Sequence, residues 1–153
     1  MSNSIAADPA QTDSGRPRFS RATRIVFVML CIYWAALFYG THTKVPEGLL
    51  PGNSDKFIHF WAYAGLAILL MSLRVTRGAY TWLSVLIAWC ILAIYGVFDE
   101  LTQLLVKRNA EVFDWIFDVT GAASGLALVT LVVWYFRTKS QIVQRWKMGG
   151  FRD

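Results

Sequence analysis

Four long apolar segments, separated by short polar or glycine- and proline-containing stretches, dominate the hydropathy pattern of the chain. They cover residues 25–40, 55–73, 79–106 and 114–136. A helix that crosses a bilayer needs about 20 predominantly apolar residues. The first segment is short for this purpose and needs interfacial flanks, whereas the other three reach the required length. We therefore predict an all-α integral membrane bundle of four transmembrane helices.

The two ends of the chain differ from this apolar core. Residues 1–23 are rich in Ser, Ala, Asp and Pro and become basic at their end, which is typical of a disordered tail. A cleaved signal peptide is disfavoured, because the tail is long and contains acidic residues. Residues 137–153 are basic and carry apolar side chains, which predicts a segment at the membrane interface. Residues 24–136 would then form the membrane domain between two cytoplasmic tails.

Composition supports a membrane protein and argues against a nucleic-acid partner. Hydrophobic residues make up 56% of the chain and charged residues 16%, whereas about a quarter of a soluble domain is charged. The net charge is +5, but the basic residues lie beside apolar segments, so anionic lipid is the expected counter-charge. Cys31 and Cys90 lie inside apolar segments, where we expect small packing residues and no disulfide.

The distribution of basic residues predicts the orientation. Cytoplasmic loops carry an excess of Lys and Arg. With the N-terminus in the cytoplasm, eleven basic residues lie inside and four outside. The inside set is Arg16, Arg18, Arg21, Arg24, Arg74, Arg77, Arg137, Lys139, Arg145, Lys147 and Arg152, and the outside set is Lys44, Lys56, Lys107 and Arg108. We therefore predict a multi-pass membrane protein with both termini in the cytoplasm.

Polar residues concentrate where three predicted helices reach the outer boundary of the membrane. Charges near the hydrocarbon cost about 2.5–3.5 kcal/mol each and usually face a bundle interior or a wet cavity. Helical spacing allows these side chains to share faces. We predict Glu100 and His59 as candidate proton acceptors. The candidate ligand-binding residues are Asp55, Lys56, Asp99, Gln103, Arg108, Asp114 and Asp118.

Several of these residues also have a structural interpretation. Asp55 and Asp114 open helices, where carboxylates cap the chain and complement the macrodipole. Lys56 and Arg108 could capture an anion or mark the interface by snorkelling. Glu100 is the strongest functional candidate, because it lies toward the C-terminal end of its helix, where negative charge is disfavoured.

The remaining patterns in the sequence indicate helix packing, and they do not match a known metal-binding or nucleophile motif. Gly121 and Gly125 form a G-x-x-x-G pattern, which predicts a helix-packing face. One histidine among carboxylates could hold a divalent cation, but paired-histidine spacing is missing from the sequence. We therefore predict no metal site and leave cofactors open. No Ser or Cys stands in a recognisable nucleophile setting.

The motifs together resemble the VanZ-like family of small bacterial membrane proteins. The resemblance covers about residues 25–136. It rests on Asp55-Lys56-x-x-His59-Phe60, Asp99-Glu100-x-x-Gln103, Arg108, and Asp114 followed by Gly121 and Gly125. Asp118 departs from the family, whose last motif usually has Asn there. A carboxylate at this position must be protonated or bind a positive group such as His59, Lys56 or Arg108.

The resemblance implies a four-helix membrane bundle, and the name-giving member of the family is associated with tolerance to the glycopeptide teicoplanin. Three hypotheses remain open. The first is a cell-envelope protein that binds membrane lipids or a lipid-linked cell-wall precursor by the headgroup. The second is an integral-membrane hydrolase or transferase that acts on such a headgroup, with Glu100 or His59 as general base and with room for a divalent cation held by Asp99, Asp114 or Asp118. In the third, the polar cluster only fixes the helix arrangement.

Overall fold

A computed structural model describes residues 19–43, 54–106 and 111–149, and within these ranges all regular secondary structure is helical. The elements are α1 (Arg21–His42), α2 (Ser54–Thr76), α3 (Trp82–Gln103), a short 3₁₀ helix (Leu104–Val106) and α4 (Val112–Gly149). All four α-helices are long and apolar enough to cross a membrane. The predicted all-α class with four potential membrane spans is therefore confirmed. Most of the predicted N-terminal tail, residues 1–18, and Arg108 lie outside the described residues.

Local capping explains where two of the helices begin. Ser20 precedes α1, and its hydroxyl accepts a hydrogen bond from the Thr23 amide at 3.1 Å. This cap starts the helix at Arg21, ahead of the apolar segment at residue 25. Thr81 and Ser84 form a reciprocal capping box at the start of α3, which satisfies two backbone donors that the first turn leaves unpaired.

The last helix continues well beyond its apolar segment. Residues 126–148 contain neither glycine nor proline, so no residue with a strong helix-breaking tendency interrupts the backbone hydrogen bonds. As a result α4 extends to Gly149. The stretch after residue 136, predicted as an interfacial tail, is thus largely helical, and its position at the interface stays a prediction.

Hydrogen bonds between neighbouring helices show that α1 and α2, and likewise α3 and α4, run in opposite directions. The Tyr33 hydroxyl donates to the Ala62 carbonyl at 3.0 Å, and the Thr23 hydroxyl donates to the Thr76 carbonyl at 3.2 Å. Because Tyr33 follows Thr23 while Ala62 precedes Thr76, α1 and α2 are antiparallel. In the same way the Glu111 amide donates to Glu100 Oε2 at 2.9 Å and the Trp115 indole donates to the Ala93 carbonyl at 3.0 Å, so α3 runs antiparallel to α4.

Two glycines bring α2 and α4 into the most extensive contact between helices. A Cβ atom at Gly121 would clash with the carbonyl oxygen of Phe60, and one at Gly125 would clash with that of Ala64. Both pairs advance by four residues, so α2 and α4 are parallel. In a bilayer, where lipid tails are as apolar as the helices, such backbone approach through small residues is a principal source of helix association.

Buried apolar side chains fill the centre of the bundle. Tyr63, Leu66 and Met71 of α2 and Leu92 of α3 have no exposed surface. Large apolar side chains such as Trp82 and Ile94 remain exposed on the outside. An apolar surface of this kind suits a bilayer, and the buried acidic side chains lie at one end of the largely apolar centre.

The close approach of α2 and α4 predicts a strong difference between two glycine substitutions. Gly121→Ala places a methyl group against the Phe60 carbonyl, and overpacking of this kind costs about 1–3 kcal/mol. Gly40→Ala in α1 is the matched control, because its Cβ would meet no atom within 4 Å. We expect Gly121→Ala to lower the free energy of unfolding in detergent, and Gly40→Ala to leave it unchanged or raise it by up to about 1 kcal/mol. Equal free energies of unfolding for the two variants would contradict the packing described here.

Candidate functional site

Buried polar side chains from α2, α3 and α4 converge at one end of the bundle. His59 comes from α2, and its neighbours come from the end of α3 and the first turns of α4. The buried members of this polar cluster are His59, Asp99, Glu100, Gln103, Asp114 and Asp118. Each was a candidate in the sequence, and the folding of three helices brings them together.

A hydrogen bond between His59 and Asp118 lies at the centre of the polar cluster. The Nδ1 atom of His59 is 2.9 Å from Oδ1 of Asp118, and the two side chains are 2% and 0% exposed. Gly96 of α3 leaves room for the neighbouring Trp115 ring, because a Cβ there would lie 3.0 Å from Trp115 Cδ1. Of the positive partners considered for Asp118, the structure pairs it with His59. This bond fixes the orientation of the imidazole.

Asp99 belongs to a separate network in which both carboxylate oxygens have donors. Its Oδ1 accepts from the Thr41 hydroxyl at 2.9 Å, and its Oδ2 accepts from the Gln103 amide at 3.2 Å. His42 Nδ1 lies 3.8 Å from Asp99 Oδ1. These contacts tie the end of α1 to the end of α3, so Asp99 and Gln103 already satisfy each other within the protein.

Sequence reasoning did not include the α1 residues of this network. Because the first helix was predicted to end at residue 40, Thr41 and His42 were assigned to a loop. In the structure α1 continues to His42, whose ring stacks on Phe38 with centroids 4.0 Å apart. His42 Nε2 also lies 2.9 Å from the Thr102 hydroxyl. The four-residue spacing of Phe38 and His42 on one helix face was the signal that could have revealed this.

Glu100, Asp114 and Asp118 differ from Asp99 because each keeps an oxygen without a donor. Glu100 Oε2 accepts from the backbone amide of Glu111 at 2.9 Å. Among the described residues, however, Glu100 Oε1, Asp114 Oδ1 and Asp118 Oδ2 have no hydrogen-bond partner although all three atoms are buried. Buried polar atoms in folded proteins are nearly always satisfied, and an orphaned acceptor is costly. These three oxygens therefore indicate a missing donor or cation.

Lys56, a basic side chain near the polar cluster, forms its ion pair with another carboxylate and not with the three unpaired oxygens. The ammonium of Lys56 lies 3.8 Å from the carboxylate of Glu111 and 5.6 Å from the centre of the Phe113 ring. It is therefore engaged at the rim of the polar cluster. Asp55, the other predicted residue at the start of α2, is partly buried. The carboxylates consequently outnumber the basic side chains at this end of the described bundle.

An apolar groove between α3 and α4 leads to Glu100. Its volume is about 310 Å³, and its lining comprises Val97, Glu100, Leu101, Glu111, Val112 and Trp115. Leu101 and Val112 lie on the outer surface of the bundle, whereas Glu100 is only 7% exposed. The groove therefore connects the apolar surface with a buried carboxylate of the polar cluster.

Two overlapping groups of side chains in the polar cluster could hold a metal ion. One consists of Asp55, His59 and Asp114, and the other of His59, Glu100 and Asp118. In each group the donor atoms lie within 4.8 Å of one another. Sequence spacing could not reveal the second group, because its members come from three different helices.

Comparison with known proteins gives one match. A family model described as VanZ/LLP1 matches residues 25–134, a region that contains the polar cluster and the membrane-spanning parts of all four helices. No curated protein and no solved structure matches the chain significantly.

Proposed function

Because the chain belongs to the VanZ/LLP1 family, as its motifs indicated, we propose that it is a cell-envelope membrane protein that binds the headgroup of a membrane lipid or of a lipid-linked molecule. The observation that carries this proposal is the groove between α3 and α4. Its walls are apolar and lie at the bundle surface, and Glu100 is its buried polar end. A lipid chain would occupy the groove while its headgroup meets the polar cluster.

The unpaired oxygens favour a headgroup that donates hydrogen bonds. Glu100 Oε1, Asp114 Oδ1 and Asp118 Oδ2 can only accept hydrogen bonds or bind positive charge. Hydroxyl, amine and amide groups supply such donors. Lys56 lies at the rim of the polar cluster, beside Glu111. In this proposal it holds the phosphate of the lipid, with Arg108 as a second cation.

The proposed orientation places the polar cluster at the outer face of the bacterial plasma membrane. Its support is the excess of basic residues in the segments assigned to the cytoplasm. Lipid-linked cell-wall precursors at that face are accessible to glycopeptides, so tolerance to teicoplanin would follow if the protein binds such a precursor. Green fluorescent protein fused to the C-terminus should fluoresce, since it folds in the cytoplasm. A dark fusion, with alkaline phosphatase active at the same position, would contradict the orientation.

A second candidate function rests on the His59–Asp118 bond. A histidine oriented by a buried carboxylate is the usual arrangement of a general base. With Nδ1 held by Asp118, Nε2 would accept the proton of an attacking hydroxyl or water. The protein would then be a hydrolase or transferase that acts on the same lipid headgroup.

Native mass spectrometry of the protein extracted from its own membranes tests the binding proposal. We expect the wild type to retain a distinct lipid. Glu100→Gln keeps an oxygen for the Glu111 amide but loses the charge, and a hydrogen bond to a charged group is worth about 1.5–3 kcal/mol. Lipid retention should therefore fall by about tenfold or more. Val97→Trp should also reduce retention, because the indole fills the groove.

Ile94→Trp is the matched control for the groove. Ile94 lies on the same helix and is 70% exposed, but it does not line the groove. This variant should retain lipid as the wild type does. Unselective lipid in all four proteins would refute the binding proposal. Conversion of the retained lipid by wild type, and its loss in His59→Gln, would favour the hydrolase or transferase instead.

A further inference from the structure

We propose that His59, Glu100 and Asp118 bind a divalent cation of the Zn²⁺ or Mn²⁺ class where α2, α3 and α4 meet. This goes beyond lipid binding and does not depend on it, because the argument concerns only side chains of this chain. It also replaces the expectation from sequence spacing that no metal site is present.

The positions of the donor atoms fit one ion. The three side chains offer one nitrogen and two carboxylate oxygens, all within 4.8 Å of one another. Zinc binds such atoms at about 2.0–2.2 Å in a tetrahedral arrangement, so two ligand atoms on one ion lie about 3.3–3.6 Å apart. Side-chain rotations that bring the donor atoms closer by up to about 1 Å would therefore close the site.

The unpaired oxygens give independent support for a ligand at this place. Glu100 Oε1 and Asp118 Oδ2 are buried, and neither has a hydrogen-bond donor among the described residues. The side chains that carry them are 7% and 0% exposed. A carboxylate in such surroundings is retained only when it is paired, protonated or bound to a metal. Two such carboxylates beside one histidine leave an excess of negative charge that a divalent cation would balance.

The chemistry of the donors selects the class of cation. Imidazole suits zinc and other transition metals, whereas Mg²⁺ and Ca²⁺ prefer a purely oxygen environment. Without an ion, His59 Nδ1 lies 2.9 Å from Asp118 Oδ1, and an ion bound by both side chains would replace that hydrogen bond.

The neighbouring carboxylates fall into two classes with respect to this ion. Asp114 and Asp55 form the second, shallower group around His59, and their charge would attract a cation toward the deeper group. Asp99 lies outside both groups, and its two oxygens already bond to Thr41 and Gln103. Asp99 is therefore a buried carboxylate of the same helix end that should not bind the ion.

Metal titration of the full-length protein in detergent tests the proposal. The protein is treated with EDTA, freed of chelator, and titrated with Mn²⁺ or Zn²⁺ alone, with binding followed by electron paramagnetic resonance for Mn²⁺ and by calorimetry for Zn²⁺. We expect one saturable site and a melting temperature that rises with ion concentration. Affinity should fall at least 100-fold in Glu100→Gln and Asp118→Asn, since even the loss of a supporting contact costs about 10–100-fold.

Asp99→Asn controls for unspecific attraction of cations to carboxylates. It removes a charge that acts on His59 and Asp118 only through space, so it should still bind one ion, with a much smaller loss of affinity than Glu100→Gln. A wild type without a saturable site overturns the proposal whatever the variants do. Equal metal affinity of wild type and Glu100→Gln also overturns it. So does a loss of affinity in Asp99→Asn as large as the loss in Glu100→Gln. Size-exclusion profiles show whether each variant is folded, and Glu100→Gln preserves an acceptor for the Glu111 amide. Because no lipid is added, the outcome is separate from that of the lipid experiment.

Discussion

The close approach of α2 and α4 determines where the other parts of the polar cluster lie. Gly121 and Gly125 let the backbones touch at Phe60 and Ala64. His59 is the residue before Phe60, and Asp118 lies one helical turn before Gly121. The same parallel register that packs the glycines therefore brings the imidazole to the carboxylate. Helix packing and the formation of the polar centre are consequences of one contact between two helices.

The adjacent acidic residues Asp99 and Glu100 of α3 are both buried but differ in their hydrogen-bond partners. Asp99 is enclosed by donors from α1 and from its own helix. Glu100, the next residue, points to the other side of the helix and keeps one buried oxygen without a donor in the described part of the chain. A network that served only to fix the helices would be expected to satisfy both. The contrast supports a structural role for Asp99 and a ligand-binding role for Glu100.

Much of the fold could be predicted from the sequence, because the membrane imposes a simple rule. Apolar segments of sufficient length become helices, and buried charges mark the places where helices face one another. The family could be predicted as well, since its motifs stand at fixed places along three of the helices. The depth at which His59, Glu100 and Asp118 meet follows from the lengths of those helices.

Other features of the fold and of the polar cluster could not be predicted from the sequence, because they depend on contacts between helices that residue spacing does not reveal. The polar residues Thr41 and His42 looked like loop residues, but contacts to α3 hold them in the last turn of α1. The partner of Asp118 depended on which of several basic groups the fold would bring near, and the structure selected His59. The grouping of His59, Glu100 and Asp118 could not be predicted for a similar reason, because the three side chains are distributed over three helices and produce no local motif.

The central claim is that the buried end of this bundle holds a group that the described part of the chain does not supply. Cryo-electron microscopy of the protein extracted from its own membranes, without chelator, would test it most directly. We predict density for a non-protein group within bonding distance of Glu100 Oε1 and Asp118 Oδ2. If instead both oxygens are hydrogen-bonded to protein side chains and no further density lies between them, the polar cluster is self-contained and the account is wrong.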